Sequence, residues 1–122
     1  MKEIPASGLG HLRVTLDEIA YMGPGRADLL EEIAQTGSIS AAGKRMRMSY
    51  RRAWTLVEAL NEGFGTPLVE KHRGGNEKGG ASLTPLGEEV LARYRHMQHA
   101  AADAIAEDVK ALRAHLPASR DK

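Results

Sequence analysis

Cysteine is absent from the 122 residues, which removes disulfide frameworks, thiolate metal sites and cysteine nucleophiles together. An intracellular, cytoplasmic protein is the expectation. Long hydrophobic runs are also missing. No uncharged stretch approaches the roughly 18 residues of a membrane span, and no signal-peptide core opens the chain, so neither a membrane partner nor a cleaved leader is expected. Nor is there an excess of charge: Lys plus Arg number 17 against 16 Asp plus Glu. A net charge of +1 makes no global case for nucleic acid, membrane or acidic partners. At 13.2 kDa the chain has material for one compact domain, or one domain plus a projecting element, which argues against a large cleft between domains.

What is present is an uneven distribution of charge. No acid occurs from Ile33 to Val57, while Lys44, Arg45, Arg47, Arg51 and Arg52 fall close together. Acid collects at Glu31/Glu32, at Glu58 and Glu62, and in the last third around Glu88, Glu89, Asp103, Glu107 and Asp108. The chain is locally basic and globally neutral.

Residues 1–10, with Pro5, Gly8 and Gly10, read as a loose, flexible arm. His11 to Leu16 alternates as a short strand would. Arg26 to Gln35 has helical spacing and stops at Gly37, Ser40 to Met46 forms a two-turn helix, and Ser49 caps a third helix over Tyr50–Phe64. In that third helix Ala53, Val57, Leu60 and Phe64 fall within about 60° of one another at ~100° per residue. Arg51, Thr55, Glu58 and Glu62 take the far face, with Arg52 beside them. Leu68–His72 and Ala81–Leu83 read as a hairpin with a glycine-rich tip at 74–80. Thr84–Pro85 then opens a helix from Leu86 to Leu116, about 45 Å long at ~1.5 Å per residue. Its stripe of Val90, Tyr94, Met97, Ala101, Ile105, Leu112 and Leu116 is longer than so small a body covers, and marks a homodimer interface; the alternative is that the helix folds back over the first helix and leaves a monomer.

Two short helices joined by a tight turn, the second with positive charge only near its N-terminus, suit end-on entry into the major groove of double-stranded DNA. Glu58 and Glu62 lie toward the other end, where they can point away from DNA. A solvated helix face with incidental arginines has the same composition. The hairpin adds the order of a winged helix-turn-helix, with Lys71, Arg73 and Lys78 placed to meet phosphates and glycines that let the tip approach a groove; a plain flexible connector is the alternative for the tip. A phosphate-binding P-loop is excluded, because Gly80 and Ala81 stand where lysine and a hydroxyl are required. In the helix pair Ser38, Ser40 and Lys44 complete the candidate contacts. His96, His99 and Asp103 could share a helix face, yet without cysteine they read as a solvated face, and no metal or other cofactor is expected. No nucleophile, base and acid share a recognisable context, so no enzyme is expected.

The run Thr36-Gly37-Ser38-Ile39-Ser40-Ala41-Ala42, then Met48-Ser49-Tyr50-Arg51-Arg52-Ala53-Trp54, Pro67-Leu68-Val69-Glu70 and Leu83-Thr84-Pro85-Leu86-Gly87 resembles the DNA-binding domain of the ModE family, and more distantly the winged helix of LysR-type regulators. The resemblance covers about residues 12–110. It implies that Ser49, Tyr50, Arg51, Arg52 and Thr55 lie at DNA, that Trp54 locks the recognition helix to the body, and that the last helix pairs with its twin on an inverted repeat. Arg47 stands where that family often has glycine, so either the turn is reshaped or an arginine adopts a left-handed backbone. The C-terminal oxyanion-binding part of ModE has no counterpart here, so molybdate binding is not expected of this chain alone.

The expectation is therefore a mainly α protein with a small β component: an arm (1–10), a winged helix-turn-helix (11–85), a long C-terminal dimerisation helix (86–116) and a tail (117–122). The rival reading, from another class, is a protein-interaction module in which the winged helix is only a scaffold.

Overall fold

The computed structural model describes residues 4–72 and 80–118. Its elements run β1 (Val14–Thr15), β2 (Tyr21–Met22), α1 (Pro24–Thr36), α2 (Ile39–Arg45), α3 (Tyr50–Phe64), β3 (Val69–His72), β4 (Gly80–Leu83) and α4 (Pro85–Arg113). The architecture is mainly α with two small antiparallel hairpins, β1–β2 and β3–β4.

Helix boundaries follow local chemistry. The Ser38 hydroxyl accepts the Ala41 N–H at 3.0 Å and the Ser49 hydroxyl the Arg52 N–H at 3.0 Å, each satisfying an amide that the first helical turn leaves free. Thr84 does the same for Gly87 at 3.0 Å, and Pro85 follows it as the first helical residue. α1 and α3 stop at Gly37 and Gly65, both left-handed at φ 73° and 69°.

The core gathers Leu29, Leu30 and Ile33 of α1, Ile39 of α2, Val57 and Leu60 of α3, and Leu68 of the hairpin, all essentially without solvent contact. β3 and β4 pair from Val69↔Leu83 to His72↔Gly80. The Ala81 N–H also donates to the Gly37 carbonyl at 2.8 Å, so the hairpin is fastened to the α1–α2 junction.

Four features differ from the sequence expectations or were absent from them. The N-terminal strand is two residues long, because its partner gives way to α1 at Pro24, and the Leu12 carbonyl accepts the Tyr94 hydroxyl at 2.6 Å. Its partner, β2, is set by Asp17, whose Oδ1 accepts the N–H groups of Ala20 at 2.6 Å and Ile19 at 2.8 Å and closes the turn. Those two bonds, Ala20's the stronger, hold the Asp17 carboxyl below its ordinary value. Third, Tyr94 is not part of an exposed stripe. It is completely buried in the chain's own core, where burial pushes the phenol up, and Val90 also packs against that core. Fourth, α4 ends at Arg113, so Leu116 lies in the turn beyond it.

Residues 4–12 lie back along α4. Beyond the Leu12–Tyr94 bond, the Arg113 guanidinium donates to the carbonyls of Ala6 at 2.9 Å and Pro5 at 3.3 Å. Gly8 passes so close to the helix that a Cβ there would stand 2.8 Å from a Val109 methyl.

Candidate nucleic-acid interface

α2 and α3 are held at a fixed angle by small residues and a short turn. A Cβ on Gly43 would lie 3.2 Å from that of Ala53, so the two helices cross with little between them. The turn itself returns the Arg47 N–H to the Lys44 carbonyl at 3.0 Å and the Met48 N–H to the Gly43 carbonyl at 2.9 Å. Met46 and Met48 pack inward on the core, and Arg47 takes φ 59°. The turn is thus not reshaped: the arginine adopts the left-handed backbone.

α3 buries Ala53, Val57 and Leu60 and exposes Tyr50, Arg51, Arg52 and Thr55. The Thr55 hydroxyl donates to the Arg51 carbonyl at 2.9 Å, which leaves its oxygen lone pairs outward. The basic run is not uniform in its environment. Arg45 turns back to α1, its Nε 2.9 Å from a Glu32 carboxylate oxygen. Lys44, Arg51 and Arg52 make no ion pair among the described residues and are exposed. Free cations therefore collect around the N-terminus of α3, where the unpaired amide ends add a partial positive charge. Ser38 is half-buried and committed to capping α2, and Ser40 is half-buried in that helix's first turn.

The hairpin is bound to α3 by a residue the sequence reading passed over. Asn61 Oδ1 accepts the N–H groups of Leu68 at 2.8 Å and Val69 at 3.2 Å, and its Nδ2 donates to the Val69 carbonyl at 3.2 Å. On the outer side the Lys71 ammonium lies 3.8 Å above the Trp54 ring, a cation–π contact that joins β3 to α3 directly. His72 and Ser82 meet across the strands at 2.8 Å. Between α3 and β3 runs a groove of about 770 Å³ lined by Tyr50, Trp54, Asn61, Val69, Lys71 and His72. Arg73, Lys78 and most of the glycine-rich tip lie outside the described residues. Asn61 had no signal in sequence, since an asparagine at that helix position could equally face water.

Of the α4 stripe, Met97, Ala101 and Ile105 are half-buried, while Leu112 and Leu116 are 68% and 51% exposed. His96, His99 and Asp103 are exposed on α4, and no group of three His, Asp or Glu able to hold a metal occurs among the described residues.

A three-helix core whose last two helices form a helix-turn-helix, followed by a hairpin, defines a winged helix-turn-helix. The model of the bacterial regulatory helix-turn-helix protein, lysR family, matches residues 26–88, and the chain belongs to that family. It is 41% identical over 93 residues to the molybdenum-pterin-binding protein MopB of Rhodobacter capsulatus, covering 76% of this chain and 34% of MopB. With the transcriptional regulator ModE of Haemophilus influenzae it shares 39% over 93 residues, or 73% of this chain and 36% of that one. The ModE resemblance read in the sequence is thus shown, and the chain spans about a third of the length of these relatives. The fold matches that of the CbnR DNA-binding domain solved with DNA, with a TM-score of 0.57 at 23% identity over 72% of this chain and 95% of that one. For the BenM DNA-binding domain on benA site 1 DNA the TM-score is 0.54 at 16% identity, over 75% and 97%.

Proposed function

We propose that the chain is a cytoplasmic, sequence-specific transcriptional regulator that binds an inverted repeat in double-stranded DNA as a homodimer. Residues 11–85 serve as the DNA-binding unit and 86–116 as the dimerising segment. The observation that carries this reading is the cluster of cations at the capped N-terminus of α3, unpaired among the described residues, on a helix whose opposite face is buried. α3 enters the major groove, where Arg51, Arg52 and Tyr50 meet base edges or phosphates, with Ser49 and Thr55 alongside. Lys44, Ser38 and Ser40 line the flank from α2, and Lys71, Arg73 and Lys78 approach the backbone from the hairpin. The relatives, a ModE regulator and a molybdenum-pterin-binding protein, support a regulator in molybdenum-related physiology. The reading does not extend to molybdate binding by these residues.

The test is DNA binding across a salt series, using fragments that the wild-type chain selects from host DNA. Arg51→Ala and Arg52→Ala are each expected to weaken binding without unfolding the protein, since both side chains lie off the buried face. A base contact is worth ~1–3 kcal/mol and a specificity change at one position, and a phosphate contact about one unit of salt slope. Unchanged affinity in both variants at low and high salt would overturn the assignment of α3 and favour a protein-interaction role for the scaffold.

A further inference from the structure

Arg47 is a residue whose backbone calls for glycine and whose side chain is a guanidinium. At φ 59° it is the sole non-glycine residue with positive φ among those described, a conformation that crowds any Cβ. The turn needs that conformation: it lets the Arg47 and Met48 amides return to Lys44 and Gly43 so that α3 can start across α2. It does not need the side chain. Arg47 is exposed, and among the described residues its guanidinium donates to no carbonyl and pairs with no carboxylate. Arg45, two positions earlier, shows the contrast, with Glu32 beside it.

The location says what the free guanidinium meets. Arg47 stands two residues before the Ser49 cap, between Lys44 at the end of α2 and Arg51 and Arg52 at the start of α3. With α3 in a major groove, the turn that delivers its N-terminus rides over the groove's edge, where phosphates rather than bases lie. We propose that Arg47 is a phosphate anchor that holds the α2–α3 turn on the DNA backbone and thereby sets how α3 enters the groove. The inference rests on the reading of α3 as the recognition helix. A strained backbone here coincides with an unused cation, as strain often coincides with function.

The two roles of the residue give opposite signs in one variant. Arg47→Gly relieves the left-handed backbone, so its thermal midpoint is expected at or above that of the wild type. Its affinity for the selected fragments is expected to fall about tenfold at moderate salt, with the slope of log K against log salt smaller by about 0.9 for one lost phosphate contact. Arg47→Asn, which tolerates the same backbone, should repeat the loss, and Arg47→Lys should keep the wild-type slope. Arg47→Gly with unchanged affinity and slope overturns the proposal, as does an affinity loss without a change of slope. Arg51→Ala in the same series separates the levels: if it weakens binding while Arg47→Gly does not, only the anchor fails. If the wild-type chain binds no DNA, the recognition-helix reading itself fails.

Discussion

Gly87 shows how one missing side chain positions the longest helix. It sits in the first turn of α4 directly against the residue before β3, where a Cβ would collide with the Leu68 carbonyl oxygen and stand 3.0 Å from its carbon. That carbonyl already accepts the Thr84 N–H at 2.9 Å, and the Thr84 hydroxyl donates to Pro67 at 2.8 Å. Neither side can retreat without breaking these bonds, so Gly87→Ala is expected to destabilise by about 1–3 kcal/mol, the range for forced overpacking. Gly25→Ala is the control. Gly25 lies in α1 with open space around its Cβ position, and the substitution should be neutral or stabilising by a few tenths of a kcal/mol, since alanine favours helix. Denaturant midpoints for the two variants check both signs, and equal midpoints would contradict the packing account. The sequence showed Gly87 as a lone glycine in a helical pattern, but not its partner, because Leu68 lies 19 positions away and only the folded hairpin brings them together. Tyr94 failed for a related reason. Helical spacing defines a stripe, but which part of it faces the chain's own core depends on how α4 packs on residues distant in sequence, the Leu12 carbonyl among them, which no local pattern encodes.

Among the elements, legibility follows how locally each is determined. α3 falls where expected, Tyr50–Phe64, because its cap, apolar face and glycine stop are all contiguous. β2 was unreadable, since two residues carry no periodicity and the Asp17 turn supplies the pairing. The relation of the hairpin to α3 was equally hidden, and Asn61 links the two by three hydrogen bonds. Asn61→Ala removes three hydrogen bonds and leaves the Leu68 amide without a partner in a buried position, worth about 1–3 kcal/mol for each group stranded. The expected result is local. Amide exchange at Leu68 and Val69 should accelerate while Val57 and Leu60, protected by the helix ladder, change less. DNA affinity should fall too, since the hairpin no longer keeps a fixed angle to α3. Exchange rates unchanged at Leu68 and Val69 would show that the strand is held by β4 and the core alone.

At the scale of the whole molecule, the question is what covers the far half of α4. The N-terminal segment takes part of it, lying against Val109 and Arg113, and spans the stretch from Tyr94 to Arg113, about 28 Å of helix at ~1.5 Å per residue. It leaves an apolar ridge in the open, with Ile4 82%, Leu112 68% and Leu116 51% exposed and Ile105 half-covered. Burying a large apolar side chain is worth ~1.5–3 kcal/mol, and an isologous pair buries each of these twice. Pairing along this ridge would also give the two DNA-binding units the symmetry of an inverted repeat, with half-sites about one turn, ~34 Å, apart. Since Tyr94 belongs to the monomer core, a deletion that tests pairing has to begin beyond it. Truncation after Ala104 keeps Tyr94 and the Arg95 bridges to Asp28 and Glu31 while removing Ile105, Leu112 and Leu116 from the ridge. The truncated chain is expected to fold, to sediment as a monomer and to bind its operator much more weakly. Ile105→Ala and Leu112→Ala should each raise the dimer dissociation constant with little change in the monomer's own core. Sedimentation equilibrium of the 122-residue chain at micromolar concentration decides the matter: a mass rising toward twice 13.2 kDa supports pairing, and a mass that stays at 13.2 kDa at every concentration rules out the dimer and the inverted-repeat mode with it.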